Sequence, residues 1–270
     1  MQAETVLIVG VGLIGGSLGG ALRQAGFAGE VIGMDVDPAA LATAVAAGLI
    51  DRGVSEVPNQ VDIIVVCTSS DQIAEQVAQW SDRAELILDV GSVKAPILDS
   101  LAQSAEGVPA NFVPCHPIAG SERSGPGAAR ADLFAGTVTV LCAPAGAPAA
   151  RAAAVWEAAG ASVCHLSAAD HDAMLAVTSH LPHLLAFAFM LQVDEEQLSF
   201  AGGGFRDFTR IAAANPELWW RILRMNRSQV LRAAETFGAH LEQLTRVLAE
   251  ADESEGMRLL RSAAHLRQQL

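Results

Sequence analysis

The hydrophobic pattern divides this 270-residue chain into two halves. Up to about residue 167, short apolar runs alternate with stretches of helical period. The runs Thr5–Val9, Val31–Met34, Val61–Cys67, Leu86–Val90, Asn111–Pro114, Val138–Cys142 and Ser162–Leu166 are rich in Val and Ile. Strands buried on both faces of a parallel sheet have this composition. Between them, Leu13–Ala25, Pro38–Ala47, Gln72–Trp80, Ala95–Ala105 and Pro148–Ala159 read as helices. Strands alternating with helices predict an α/β, Rossmann-like domain over residues 1–167, its last two strands closing the same sheet.

Beyond Ser167 the strand signal stops, and residues 168–270 read as an all-α domain. Ala169–Val193 is expected to be one helix, kinked by Pro182. Gly202, Gly203 and Gly204 are expected to form a flexible loop leading into Phe205–Arg210. Asn215–Pro216 is an N-cap followed by a proline, the start signal of a helix that should run to about Ala249. Leu218, Ile222, Val230, Phe237, Leu241, Leu244 and Leu248 recur along it at helical spacing. An apolar stripe of that length outreaches the core of one small domain, so a homodimer through the C-terminal helices is expected. Asp252–Gly256 should break this helix before a last one.

The first strand is followed at once by Gly10-Val11-Gly12-Leu13-Ile14-Gly15, then a helix, then a strand ending on Asp35. A GxGxxG alone is weak; between a strand and a helix, with an acid about twenty residues on, it is a dinucleotide-binding fingerprint. Glycines let the backbone approach the pyrophosphate, and Leu13 and Ile14 open the helix whose free N–H groups face it. Asp35 would accept from the ribose hydroxyls and repel a 2′-phosphate, so NAD is expected over NADP. The polar loops carrying Thr68, Ser69, Ser92, Lys94 and His116 all follow strands, on the carboxyl edge where such sheets bind ligands. Gly15-Gly16-Ser17-Leu18-Gly19 matches a hydrolase nucleophile elbow, but Ser17 falls inside the helix that the dinucleotide loop already explains.

Charge and composition narrow the partners. The net charge of −13 argues against nucleic acid or an anionic membrane. The cysteines, Cys67, Cys115, Cys142 and Cys164, have no metal-ligand spacing, and no metal is expected. They read as reduced thiols of a cytoplasmic protein. The N-terminus runs into the first strand without a basic region or cleavage site, so a signal peptide is not expected. The apolar stretch around Leu181–Val193 is too short to span a bilayer.

The richest chemistry lies in Cys115–Gly125, where His116, Ser121, Glu122, Arg123 and Ser124 sit among Pro and Gly. An imidazole at the junction of two halves is placed for acid–base work near neutral pH. Arg206 and Arg210 suit a substrate carboxylate. The residues alone leave three readings open: an NAD-dependent enzyme using His116, a hydroxyacid dehydrogenase or imine reductase, and a non-catalytic NAD-responsive protein. The second would want a catalytic lysine in the helical half, and none occurs from Ala168 to Leu270.

GxGxxG at Gly10–Gly15, Asp89-Val90-Gly91-Ser92-Val93-Lys94, His116-Pro117-Ile118-Ala119-Gly120-Ser121-Glu122, Ser179-His180-Leu181-Pro182-His183 and Gly204–Arg210 together resemble the prephenate/arogenate (cyclohexadienyl) dehydrogenase family. The resemblance covers essentially the whole chain. It implies NAD-dependent oxidative decarboxylation of prephenate to 4-hydroxyphenylpyruvate, of arogenate to tyrosine, or of both. It implies His116 as the base, with Ser92 and His180 also catalytic. Arg210 would hold a substrate carboxylate, with Ser121, Glu122 and Asp207 around it. Ser121 stands where relatives often carry Thr, and the Thr68-Ser69-Ser70 loop lacks a proline common in the family.

Overall fold

The computed structural model describes residues 4–121 and 123–269. Six parallel strands form the main sheet: β1 (Thr5–Val9), β2 (Glu30–Met34), β3 (Arg52–Val54), β4 (Val61–Val66), β5 (Ala84–Asp89) and β6 (Phe112–Val113), in the order β3-β2-β1-β4-β5-β6. Helices α1 (Leu13–Gln24), α2 (Pro38–Ala46), α3 (Ile73–Trp80), α4 (Ala95–Ala102) and α5 (Ala147–Ala158) complete the α/β half. Alternate strand residues face opposite cores. Val6, Ile8, Ile63, Val65 and Leu86 pack with Leu18, Leu22 and Trp156. Leu7, Val9, Ile64, Val66 and Ile87 pack with Ile73, Val77, Ile97 and Leu101. Both faces are therefore covered, as the unbroken apolar runs require. The strand order reverses between β1 and β4, the place where such sheets open a ligand crevice.

The last strands do not close this sheet. β7 (Cys115–Pro117), β8 (Val138–Leu141) and β9 (Ser162–His165) form a second sheet, β7 antiparallel to β8 and β8 parallel to β9. The change comes at Cys115, whose N–H, next in line for β5, donates to the Asp89 carboxylate at 3.0 Å. The Pro114 carbonyl on the other edge accepts from Cys142 N at 2.8 Å and so starts the new pairing. His116 consequently lies within a strand, not in the loop expected for it. The three-residue β3 was too short to stand out in the hydrophobic pattern.

The helical half comprises α6 (Ala168–Leu175), α7 (Leu181–Met190), α8 (Glu195–Leu198), α9 (Gly203–Thr209), α10 (Pro216–Met225), α11 (Arg227–Ala249) and α12 (Glu253–Arg267). Pro182 is accommodated by a π turn over Ala176–His180, where Leu181 N–H donates to Ala176 O. The His183 imidazole lies 2.9 Å from the Ser179 carbonyl and supplies a side-chain donor there. By length and composition Ala168–Met190 could cross a bilayer. It nevertheless carries the buried His171, Asp172 and His180, all hydrogen-bonded to protein groups.

Two further expectations are corrected. The glycine run is not a flexible loop: Gly202 caps α9 and the helix begins at Gly203, since a helix start tolerates residues without side chains. The expected single helix from Pro216 to Ala249 is two, broken at Asn226, which is buried with its amide engaged elsewhere. Of the apolar stripe, Ile222 and Val230 are buried, whereas Leu218, Phe237, Leu241, Leu244 and Leu248 remain 38–80 % exposed.

Candidate active site

The chemistry begins at Asp172, in α6. Its carboxylate accepts from Lys94 N and Ala95 N, both at 2.8 Å, at the start of α4. The same carboxylate lies 2.7 Å from His171 Nδ1. A carboxylate only accepts, so His171 must carry its proton on Nδ1 and present Nε2 as an acceptor. His116 Nδ1 lies 2.8 Å from that Nε2 and must therefore donate to it. This leaves the lone pair of His116 on Nε2, away from the relay. The tautomer follows from the hydrogen-bond chain.

His116 retains partial solvent access but is enclosed deeply enough that burial pushes its pKa well below 6.5. The Lys94 ammonium, and any positive charge on His171 or His180, push it the same way. The imidazole is thus neutral and ready to accept a proton at neutral pH. The thiols of Cys67 and Cys115 are driven the other way by burial, above the ordinary thiol range, and stay protonated.

A second imidazole branches from the same aspartate. Asn226 Nδ2 donates to the Asp172 carbonyl at 2.7 Å and lies 3.0 Å from His180 Nδ1. The carbonyl contact fixes the amide orientation, so His180 accepts at Nδ1 and carries its proton on Nε2. Burial lowers the His180 pKa to about 4, partly offset by Asp172, so the ring is neutral. His183 stacks on Trp219 with ring centres 3.4 Å apart, and the Arg210 guanidinium contributes to lowering its pKa after burial.

The glycine loop shows three separate needs. Gly10 has φ +92°, and a side chain there would lie 2.8 Å from Cys67 O. At Gly15 a Cβ would sit 2.1 Å from Gly10 O, so α1 and β1 approach too closely for alanine. At Gly12 a Cβ would meet nothing within 4 Å. Neither conformation nor protein packing calls for glycine at Gly12, so open space has been left against the start of α1. The first intrahelical bond there is Gly16 N to Gly12 O, which leaves the N–H groups of Leu13, Ile14 and Gly15 for a phosphate. Asp35 accepts from Val11 N and Asp37 N, both at 2.9 Å, which aims its carboxylate beside this loop. These residues fit a dinucleotide.

The remaining residues named from the sequence fall around these centres. Ser92 is half-buried in the β5–α4 loop. Thr68 bonds Gln76, and Ser69 accepts from Arg221 Nη1 at 2.9 Å, a contact from α10 onto the cofactor edge. Ser121 is exposed and accepts from Arg123 N; Glu122 lies outside the described residues. Arg206, Asp207 and Arg210 are exposed on and beside α9. Ser17 is fully buried and accepts from Arg130 N, which removes the hydrolase elbow. Lys94 is fully buried and faces Asp89 and not the cofactor edge. Sequence reasoning missed His171, Asp172, Asn226 and Trp219. Asp170-His171-Asp172 at the head of an apolar helix, and an asparagine in mid-helix, were the available signals.

Residues 18–165 match the family model described as prephenate dehydrogenase, nucleotide-binding domain, and residues 167–262 the one described as prephenate dehydrogenase, dimerization domain. The chain is 31 % identical to the cyclohexadienyl dehydrogenase of Zymomonas mobilis, over 92 % of this chain and 89 % of that one. It is 29 % identical to the prephenate dehydrogenase of Bacillus subtilis, over 98 % of this chain and 75 % of that one. Among solved structures, prephenate dehydrogenase from Aquifex aeolicus in complex with hydroxyphenyl propionate and NAD+ superposes with TM-score 0.91. It shares 31 % identity, covering 100 % of this chain and 99 % of that one. Synechocystis arogenate dehydrogenase superposes with TM-score 0.82 at 27 % identity, covering 98 % and 99 %.

The three glycines should separate on substitution. Gly15→Ala is expected to destabilise the fold by about 1–3 kcal/mol, because the new methyl would run into the Gly10 carbonyl and the Ile8 side chain. Gly12→Ala is expected to change the melting temperature little and weaken NAD binding. Thermal melting and NAD titration of both variants check this; undiminished NAD affinity in Gly12→Ala would refute the reading of the open space.

Proposed function

This chain belongs to the prephenate dehydrogenase family, and we propose that His116, with its lone pair held on Nε2, is the base of its reaction. The chain is an NAD-dependent oxidoreductase that oxidises and decarboxylates prephenate to 4-hydroxyphenylpyruvate, in tyrosine biosynthesis. The observation that supports the base is the relay Asp172–His171–His116. It orients the imidazole and leaves one nitrogen able to take a proton.

His116 Nε2 takes the proton of the ring 4-hydroxyl. The C4 hydrogen leaves with its electron pair as the C4–oxygen double bond forms. The C1–carboxylate bond then breaks, CO2 departs, and its electrons pass through the ring to that oxygen. The oxygen takes a proton to become the phenol, and aromaticity drives the sequence. Bound NAD supplies the hydride acceptor; Gly10, Gly12, Leu13, Ile14, Gly15, Asp35, Thr68 and Ser69 are the residues to hold it. The chain's own task is orientation and proton transfer. While protonated, His116 keeps its Nδ1–H on His171, whose far nitrogen rests on the Asp172 carboxylate, so the transient charge is stabilised.

Arg210 is assigned to a substrate carboxylate, for which its planar fork is suited, with Ser121, Glu122 and Asp207 around it. Ser92 and His180 complete the catalytic set, His180 through its Nε2–H. The division between the cofactor half and the helical half is placed at residues 167 and 168. We read the enzyme as a cytoplasmic homodimer. The match of residues 167–262 to a dimerization domain and the exposed stripe on α11 support the dimer, and the four free cysteines suit a reducing compartment.

Replacing His116 by Asn keeps a similar shape and removes the basicity. The His116→Asn variant is expected to lose roughly two to four orders of magnitude in kcat, the usual worth of a positioned general base. Affinity for NAD should hardly change. Because burial and the Lys94 ammonium depress the His116 pKa, the base form is lost only on the acid side. The acid limb of kcat/KM for the wild type is therefore expected below pH 6.5, and absent from the variant. Near-normal turnover with the limb intact would make His116 structural.

Cofactor choice is tested at the end of β2. Asp35→Ser with Val36→Arg removes the negative charge and adds a phosphate partner at a fully exposed position. The ratio of kcat/KM for NADP over NAD is expected to rise; a wild type that already prefers NADP would contradict the role given to Asp35.

A further inference from the structure

Lys94 is the only lysine in the sequence; every other permanently cationic side chain is an arginine. It is also fully buried, with its Nζ on the carboxylate of Asp89, which is buried too. An ammonium is compact and offers three donors around a point, whereas a guanidinium needs a broad planar slot. The closed space between β5, α4 and β7 accommodates the first.

What this ion pair holds is the peptide unit next to His116. Lys94 Nζ donates to the Cys115 carbonyl at 2.6 Å, and Asp89 Oδ1 accepts from Cys115 N at 3.0 Å. Asp89 Oδ2 also accepts from Gly91 N at 2.9 Å, which closes the loop toward Lys94. On the β8 side, pairing is made by Pro114 O and Ile118 N. Successive residues of a strand turn their polar groups to opposite edges, so those of Cys115 face away from β8. Asp89 and Lys94 thus act as the missing neighbour on the free edge of β7. The main-chain N–H of Lys94 meanwhile donates to Asp172, whose carboxylate orients His171 and, through it, the His116 ring.

We propose that Lys94, paired with Asp89, is a positioning residue for His116: its ammonium fixes the strand that carries the imidazole, and its amide fixes the carboxylate that orients the ring. A buried ion pair is often no more stabilising than an apolar pair of the same volume, so its presence beside the base calls for a role other than stability. The assignment rests on the reading of His116 as the base. The charged and titratable groups around His116 are His171 on α6, His180 on the π turn and Lys94, with Asp172 behind His171 and Asp89 beside Lys94.

Asp89→Asn with Lys94→Met tests this, because the double change leaves no lone buried charge; Lys94→Met alone and His116→Asn serve as references. Folding is followed by circular dichroism and thermal melting, activity by kcat, the KM values for prephenate and NAD, and the pH profile of kcat/KM. The double variant is expected to fold and keep its KM for NAD. Its kcat should fall roughly ten- to hundredfold, the cost of a misplaced catalytic group. Its acid limb should move to higher pH, because a cation beside the imidazole is gone. Wild-type kcat and an unmoved limb in the folded double variant would overturn the proposal. So would failure of the double variant to fold, since the pair would then serve stability. If His116→Asn itself turns over normally, the base reading falls, whatever the Lys94 variants do.

Discussion

The carboxylate of Asp172 is the contact on which the site depends. It lies on the first helix of the all-α half, yet two of its partners are main-chain N–H groups at the start of α4, in the α/β half. Those N–H groups have no partner within their own helix, so the aspartate satisfies them as a cap supplied from a distant element. Its remaining capacity goes to His171, and its own carbonyl to Asn226. A buried carboxylate would be costly without such partners, and with them it joins the first helix of the all-α half to α4 of the α/β half.

That joint makes two histidines unequal. His116 and His180 are both depressed by burial, but His116 ends a chain of donors and keeps a bare Nε2, while His180 accepts from Asn226 and keeps Nε2–H. One ring is prepared to receive a proton and the other to donate a hydrogen bond. Imidazole chemistry alone would not distinguish them; the second ring nitrogen does. The helix break at Asn226 and the π turn before Pro182 are local irregularities that bring these side chains into reach.

The cofactor edge is arranged on different terms. Gly10 and Gly15 are set by backbone geometry and close packing, Gly12 by space left open against α1. Asp35 is anchored by the main-chain N–H groups of Val11 and Asp37. Arg221 reaches from α10 to Ser69 and toward Asp71, so the helical half also touches the loop after β4. The glycine loop with Asp35 and the Asp172–His171–His116 relay thus rest on separate hydrogen-bond sets.

By itself the sequence determined the α/β half and its cofactor. The Val- and Ile-rich runs of β1, β2, β4 and β5, Gly10 and Gly12 before α1 with Gly15 in its first turn, and Asp35 at a strand end are local signals with local causes, and each stands where its pattern placed it. His116 was legible because it stands in a run of unusual chemistry. The tertiary structure decided what no spacing encodes. His116 falls in a second sheet, because the Asp89 side chain takes the Cys115 N–H due to β5 and the Pro114 carbonyl finds Cys142 on the other edge. His171 and Asp172 gain meaning from Lys94 and His116, which lie 78 and 55 residues away from their partners. Asn226 breaks a helix that its neighbours would continue, because its amide is worth more on Asp172 and His180 than in solvent. Period and propensity act within a few residues, while the satisfaction of buried polar groups is settled by whatever the fold brings alongside.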